Sequence, residues 1–418
     1  MLFGTAQVVT LAIFLAVYAL IVVRKVGKFK VELWMAMLLG AMTFLGFGLT
    51  TLPDAFAAVN ADVILFLFGA FLIVEVMIQT GLLQYIAIRF IRTARTPARL
   101  LLLVIVFVSF ASAFLVNDAV VLVMTPIVIA SCTLAKVRKM PYLLGIALSS
   151  NIGSALTPIG NPQNVLIKIE SGIGTVGFMG KMALPVILGT AAEYFILKTI
   201  YRKDLRGNLQ YDMMEPEKML TSRFRAYAVG AIAVMVIIGF LASDFTGWPI
   251  ALTAAIGGTA ALLMSMDRRQ AIKGIDWGTL VFFASMFVVM DTVSRNGLLQ
   301  ALIEPFASSL FAPGASSVLS IFGLSLAVSQ VTSNVPFVAI MLPVFHGAGA
   351  TGSQWLSLAA GSTLAGNLTL LGAAANVIVL EAAESRGETF SFMEFLKAGV
   401  PTTFATCAIA IAFLILLA

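Results

Sequence analysis

Apolar stretches of spanning length begin near residues 5, 32, 62, 176, 224, 249, 277 and 393, and each approaches the ~20 residues needed to cross ~30 Å of hydrocarbon. Inside a bilayer every backbone amide and carbonyl must be satisfied by the chain itself, which leaves only helices and closed barrels as spanning structures. The runs have helical length, so the expected fold is an all-α polytopic membrane protein. Composition agrees: 60% apolar residues, 11% charged residues and a mean hydropathy of +1.02 lie far outside the range of soluble domains. The first stretch has no basic region before it and no small-residue cleavage pattern after it, so it reads as a retained helix.

The net charge of +6 matters through its placement. All but Lys168, Lys181 and Arg295 of the 26 Lys and Arg residues fall within segments 24–30, 89–99, 136–139, 198–225, 268–273 and 386–397. By the positive-inside rule these segments should be cytoplasmic. The chain threads that way only if segments 100–135 and 315–348 each enter and leave by the same face, as re-entrant hairpins. The basic residues therefore speak for orientation in a lipid bilayer, with both termini extracytoplasmic in the cell (inner) membrane, and no nucleic-acid partner is expected.

Polar and helix-breaking residues interrupt the apolar background in pairs. Asn117-Asp118-Ala119 leads to Met124 and Pro126, as Asn334-Val335-Pro336 leads to Met341 and Pro343. Thr157-Pro158-Ile159-Gly160-Asn161-Pro162-Gln163-Asn164-Val165 returns as Thr369-Leu370-Leu371-Gly372-Ala373-Ala374-Ala375-Asn376-Val377, with Ser150 matching Ser362. Such paired interruptions, displaced by roughly 216 residues, are a sequence pointer to the binding site of a secondary transporter.

The expected order is helices at 5–23, 32–50 and 62–80, a hairpin at 100–135, a broken helix at 141–170 and a helix at 176–200. A hydrophilic cytoplasmic linker follows at 201–222. The order then repeats: 224–243, 249–266, 277–294, a hairpin at 315–348, a broken helix at 354–381 and a helix at 393–417. The domains are thus a first repeat (1–200), the linker, and a second repeat (223–418). Each repeat has five crossings, one of them broken, plus a hairpin, and an odd number of crossings makes the second copy inverted.

Breaks at membrane depth free amides and carbonyls, and these survive only against protein or a watery cavity. Half-helix N-termini beyond the breaks carry partial positive charge and can hold an oxygen-rich ligand without a basic side chain. Gly160 and Gly372 permit the sharp geometry, and Pro158, Pro162 and Pro336 stop the helix from continuing. Intramembrane charges are functional candidates. Asp118, at the first hairpin tip, is a candidate for carrying a proton or binding a cation. Glu75 and Asp291 occupy matched positions late in the third helix of each half and are candidates for a second proton site. Glu193 reads as a paired interfacial residue, one and a half turns before Lys198, and His346 as a solvated loop residue.

Cys132 and Cys407 read as buried unpaired thiols, and the single His346 excludes a His-rich metal cage, so no metal site is expected. There is no phosphate-binding P-loop, nucleophile elbow or HExxH pattern, which argues against an ATP-driven pump within the chain and against an enzyme. No cofactor is expected.

The stretch Phe114-Leu115-Val116-Asn117-Asp118, leading to Thr125-Pro126-Ile127-Val128-Ile129-Ala130, together with Ser333-Asn334-Val335-Pro336 and the run from Gly366-Asn367-Leu368-Thr369 to Asn376-Val377, resembles the ion transporter superfamily. That superfamily includes the arsenite efflux permeases, the NhaD-type sodium/proton antiporters and the divalent anion/sodium symporters. The first-half stretch is most similar to the arsenite branch, and the resemblance covers essentially the whole chain. It implies an outer scaffold, a transport domain of hairpins and broken helices, and homodimers in many members. Carried over residue by residue, it places the substrate among Asn117, Ser150, Asn151, Thr157, Ser333, Asn334, Thr363, Asn367 and Thr369, with backbone from the breaks at Gly160, Asn164, Gly372 and Asn376. The sodium-coupled dicarboxylate branch has Ser-Asn-Thr at both tips, whereas this chain has Val116-Asn117-Asp118 and Ser333-Asn334-Val335.

The expected function is proton-coupled efflux of arsenite or antimonite by alternating access. Trivalent arsenic in neutral water is a small uncharged hydroxide, which suits carboxamides and hydroxyls better than Lys or Arg clamps. A sodium- or proton-coupled transporter of carboxylates or inorganic anions, and a sodium/proton antiporter, remain as alternatives. The linker leaves open a cytoplasmic ATPase partner.

Overall fold

The computed structural model describes residues 5–23, 25–26, 29–209, 215–298 and 308–417. Residues 210–214 of the expected linker lie outside them. The chain is an all-α polytopic membrane protein; among the described residues eight helices are long and apolar enough to cross a bilayer. Among the described residues the strands form one two-stranded ribbon, pairing Lys25–Val26 with Phe29–Lys30.

The first half runs α1 (Thr5–Val23), α2 (Leu33–Gly46), α3 (Leu52–Ala58), α4 (Ala61–Gln79), α5 (Leu82–Ile91), α6 (Pro97–Phe114), α7 (Asn117–Leu134), α8 (Met140–Ser154), α9 (Pro162–Ser171) and α10 (Thr175–Ile200). A short 3-10 turn at Pro216–Met219 precedes α11 (Arg223–Thr246), α12 (Ile250–Met264), α13 (Arg268–Lys273) and α14 (Trp277–Arg295). The chain continues with α15 (Ala315–Thr332), α16 (Asn334–Gly347), α17 (Gly352–Ala365), α18 (Ala374–Glu384) and α19 (Phe392–Ile415).

Three short helices, α3, α5 and α13, fall where only connecting chain was expected. Their starts show why they form. Thr51 caps α3 by accepting from the Asp54 amide, and Asp267 caps α13 by accepting from the Arg269 and Gln270 amides. Gly81 turns into α5 at φ +75, where a Cβ would strike the Met219 carbonyl. The expected helix at 32–50 stops at Gly46, and Gly48 at φ +67 turns the chain toward α3.

Small residues allow close helix crossings. A Cβ at Gly69 of α4 would lie 2.2 Å from the Ala254 carbonyl of α12, and one at Gly258 of α12 would lie 2.7 Å from the Gly69 carbonyl. Backbones approach this closely only where side chains are absent, the usual device of intramembrane helix packing. Two further sets of contacts position the site. α6 packs on α8 and α15 on α17, while α7 packs on α18 and α16 on α9. Each hairpin's second arm therefore meets the half-helix that follows the break in the other half of the sequence.

Candidate functional site

The two hairpin tips differ in how they turn. Only Leu115 and Val116 separate α6 from α7, and the Asn117 amide donates to the Gly160 carbonyl at 3.2 Å. At the second tip Ser333 alone separates α15 from α16, at φ +70 and ψ +166, a region populated essentially by glycine. With its carboxamide oriented by its neighbours, Asn334 donates to the Ser362 and Gly372 carbonyls at 2.9 Å each. Each tip is thus tied to the glycine of a break.

The breaks are braced in the same way twice. Asn164 Nδ2 donates to the Ser154 carbonyl (3.2 Å) and the Thr157 carbonyl (3.1 Å). Asn376 Nδ2 donates to the Gly366 carbonyl (2.7 Å) and the Thr369 carbonyl (3.2 Å). One carboxamide per break satisfies carbonyls released by unwinding, which hydrocarbon could not do. Other polar side chains join the halves: Asn151 Nδ2 donates to Asn367 Oδ1 (2.8 Å) and Asn376 Oδ1 (3.1 Å), and Asn367 Nδ2 to the Leu148 carbonyl (3.0 Å). Thr363 Oγ1 accepts from Asn161 Nδ2 at 3.2 Å and donates to Asn164 Oδ1 at 3.4 Å. All of these side chains are buried.

Next to this knot lies an open cavity of about 370 Å³. α7, α9, α16 and α18 all begin at its wall, with Asn117 and Asp118, Pro162 and Gln163, Ser333 and Asn334, and Ala373 and Ala374 in the lining. With α2 and α14, which begin at Glu32 and Asp276 in the same lining, six helix N-termini converge on one space. Asn151 completes the inner wall, while Trp34, Phe282 and Phe283 form an aromatic side. Four carboxylates line it, namely Asp118, Glu32, Asp276 and Glu381, and no Lys, Arg or His is among the described lining residues. Asp118 is half-buried in the first turn of α7, whereas Glu32, Asp276 and Glu381 are exposed at the mouth.

Of the residues singled out from the sequence, Asn117, Asp118, Asn151, Ser333 and Asn334 share this lining. Others point elsewhere. Ser150 Oγ donates to the Ala147 carbonyl at 2.8 Å, Thr157 Oγ1 donates to the Ala113 carbonyl, and Thr369 Oγ1 donates to Gln330 Oε1 at 2.9 Å. Thr363, Asn367, Asn164 and Asn376 belong to the knot behind the wall. Gly160 and Gly372 are there for close approach: a Cβ on Gly160 would lie 2.5 Å from the Ser154 carbonyl, and one on Gly372 2.9 Å from the Gly366 carbonyl.

Glu75 and Asp291 stand outside the cavity and apart from each other. Glu75 accepts from Gln79 Nε2 at 3.4 Å and packs where Gly274 passes between α13 and α14. Asp291 pairs with Arg295 at 2.8 Å, and Arg295 also holds Asp54 at 2.9 Å. Glu193 is not paired with Lys198, which lies over the Tyr194 ring at 5.3 Å. Sequence reasoning missed Gln330, Gln163 and the three mouth carboxylates. Gln163 lay within the repeated motif, but the mouth residues come from the starts of α2 and α14 and the end of α18, distant in sequence.

Comparison with known proteins adds a family. The profile described as citrate transporter matches residues 18–365. An uncharacterized transporter of Mycobacterium tuberculosis is 29% identical, with 98% of each chain covered. The silicon efflux transporter of rice (Oryza sativa subsp. japonica) is 27% identical over 90% of each chain. A Dictyostelium discoideum protein that carries the name arsB is 24% identical, covering 91% of this chain and 86% of its own. The Alcanivorax borkumensis YdaH transporter, described as having an unusual topology, shares the fold at a TM-score of 0.62 and 16% identity, covering 99% of this chain and 98% of its own.

Proposed function

The chain belongs to the citrate transporter family, and from that premise we propose that it is a proton-coupled secondary transporter that exports arsenite or antimonite by alternating access. The observation that carries the reading is the cavity wall: six helix N-termini, carboxamides and two hydroxyls, with four carboxylates and no basic side chain among its described residues. Each N-terminus supplies about +0.5 charge, so six supply about +3. Four ionised carboxylates would more than cancel that. Two like unit charges ~6 Å apart repel by about 3 kcal/mol at an effective dielectric of 20, so a free citrate trianion is poorly matched to this wall. An uncharged hydroxide meets no such repulsion, and its oxygens can accept from Gln163, Asn117 and the free amides at the start of α18 while its hydroxyls donate to carboxamide oxygens.

The relatives support the same chemistry. Silicon, named for the rice relative, and trivalent arsenic both exist in neutral water as small uncharged hydroxides. Asp118, beside the inner wall, is the residue assigned to exchange the substrate for a proton; sodium is the alternative coupling ion. The mouth is built from chain next to basic segments 24–30, 268–273 and 386–397, which the positive-inside rule assigns to the cytoplasm. On that assignment the cavity opens toward the cell interior and is loaded from there.

Proteoliposome flux is the test. Arsenite movement should follow an imposed pH gradient and should lose that drive in Asp118→Asn. Flux indifferent to both the gradient and the substitution ends the proposal. Labelled citrate competing fully with arsenite, or a sodium gradient replacing the proton gradient, would instead favour the anion or sodium-coupled alternatives.

A further inference from the structure

Among the described residues Glu193 is the only Asp or Glu whose whole side chain is withdrawn to 0% exposure, and neither of its carboxylate oxygens has a hydrogen-bond partner. It sits on the buried stripe of α10 formed by Met182, Val186, Gly189, Glu193 and Leu197. Gly189, one turn away on that stripe, faces α19 and α8: a Cβ there would lie 3.2 Å from Thr406 and 3.5 Å from Ile152.

The helix directions fix what lies level with Glu193. Arg138 pairs with Asp204, just past the end of α10, at 3.2 Å and with Glu394, at the start of α19, at 3.8 Å. The C-terminal end of α10 and the N-terminal end of α19 are therefore at the same end, and the helices are antiparallel. One turn beyond the Gly189–Thr406 contact, Glu193 comes level with Thr402 and Thr403, two buried hydroxyls that also lack a partner. On the α8 side the same level is the turn whose Leu148 carbonyl accepts from Asn367 and whose Asn151 lines the cavity.

No charged side chain among the described residues faces Glu193. Arg99 of α6, Lys139 at the head of α8 and Lys397 of α19 lie at the N-terminal ends of their helices, and Asp244 of α11 accepts from the Thr175 and Val176 amides at the start of α10. Of the other titratable groups on these packed helices, Glu394 pairs with Arg138 at the start of α19, Arg223, Arg225 and Tyr227 lie in the first two turns of α11, Tyr142 donates to the Pro97 carbonyl at 3.1 Å, and Cys407 is a buried thiol. An ionised carboxylate in such surroundings would have neither water nor a counter-charge, so the group stays neutral.

We propose that Glu193 is a proton-binding site separate from the substrate cavity, holding its proton while the interface of α10 with α8 and α19 is closed and releasing it when movement of α8 admits water. The site reports on the cavity through one helix, since α8 presents Leu148 toward Asn367 on one side and packs along the Glu193 stripe on the other. Its coupling role rests on the proton-driven export proposed above; its protonation does not.

Two measurements on the full chain separate those parts. Infrared difference spectra of the purified protein at neutral pH should show the carbonyl stretch of an un-ionised carboxyl that persists in Asp118→Asn and disappears in Glu193→Gln. No difference between wild type and Glu193→Gln overturns the protonated carboxyl. In proteoliposomes, wild type must first move arsenite in response to a pH gradient; if it does not, the export reading fails while the spectroscopic result stands. Where it does, Glu193→Gln should lose about tenfold or more of the gradient-driven flux, with downhill arsenite equilibration held within about twofold, the scale of one coupling interaction. Loss of both in parallel, or of neither, overturns the coupling site. If Glu193→Gln does not fold, Glu193→Asp replaces it, and a band that shifts with retained gradient drive supports the site, whereas an unshifted band refutes it.

Discussion

Replacing Asn376 with alanine tests the brace on which the site depends. The substitution removes donors at 2.7 Å to the Gly366 carbonyl and at 3.2 Å to the Thr369 carbonyl, and the acceptor for Asn151 at 3.1 Å. Asn151 keeps Asn367 Oδ1 at 2.8 Å and the Thr369 carbonyl keeps the Gly372 amide at 3.0 Å, so the orphaned group is the Gly366 carbonyl. If intramembrane hydrogen bonds count at their measured average of about 0.6 kcal/mol each, the three lost bonds amount to about 2 kcal/mol. If the Gly366 carbonyl is instead left buried without a partner, at about 1–3 kcal/mol, the total is about 2–4 kcal/mol. The larger range is expected, because the unwound stretch has no helical partner to fall back on. Asn164→Ala removes the matching pair of donors to Ser154 and Thr157 and should cost a similar amount. Reversible denaturation in mixed micelles would measure both, with exposed Thr246→Val as a control. A loss below about 0.5 kcal/mol in either variant would refute the claim that these carboxamides hold the breaks open.

Other positions give independent checks. A Cβ at Gly153 would lie 2.1 Å from the Ser109 carbonyl, so Gly153→Ala should destabilise by at least about 1–3 kcal/mol; Gly145→Ala, which meets only the Leu101 and Ile105 side chains at 3.2 Å and beyond, should fold normally, and equal melting of the two would contradict the packing. Ser333→Gly relieves a backbone strain of about 1–3 kcal/mol and should raise the melting temperature while weakening arsenite binding; a lower melting temperature would show that the strain is absent. Asp54, on the exposed helix α3, is held below the ordinary carboxylate range first by the Thr51 hydroxyl and then by Arg295. A lowered folded value means that its stabilisation is present above the ordinary value of about 3.9 and fades as pH falls through the lowered one. The stability difference between wild type and Asp54→Asn should therefore be small at neutral pH and vanish in acid, and a difference that persists in acid would rule this out.

Much of the architecture was legible because its signals are local. An apolar run followed by Gly, Pro and Asn announces a helix and its break without reference to the rest of the chain, and segments 100–135 and 315–348 each hold two helices joined by a tight turn, α6–α7 and α15–α16. The short helices α3 and α13 were not legible, since each depends on one cap and too few residues to show a period. Within the site the sequence could name the polar residues but not their direction. Thr157 and Thr369 stand at matched places, yet one hydroxyl donates to a backbone carbonyl and the other to the side chain of Gln330.

Sequence alone determined a membrane-embedded helical chain whose interruptions carry carboxamides, because hydrophobic length and backbone satisfaction in lipid are properties of short segments. Tertiary structure decided which of those groups brace the breaks and which face the cavity, and it brought Glu32, Asp276 and Glu381 to the mouth from distant parts of the chain. It also left Glu193 without a partner. A side chain's partners at a break depend on what the other half places opposite it, and no local pattern encodes that.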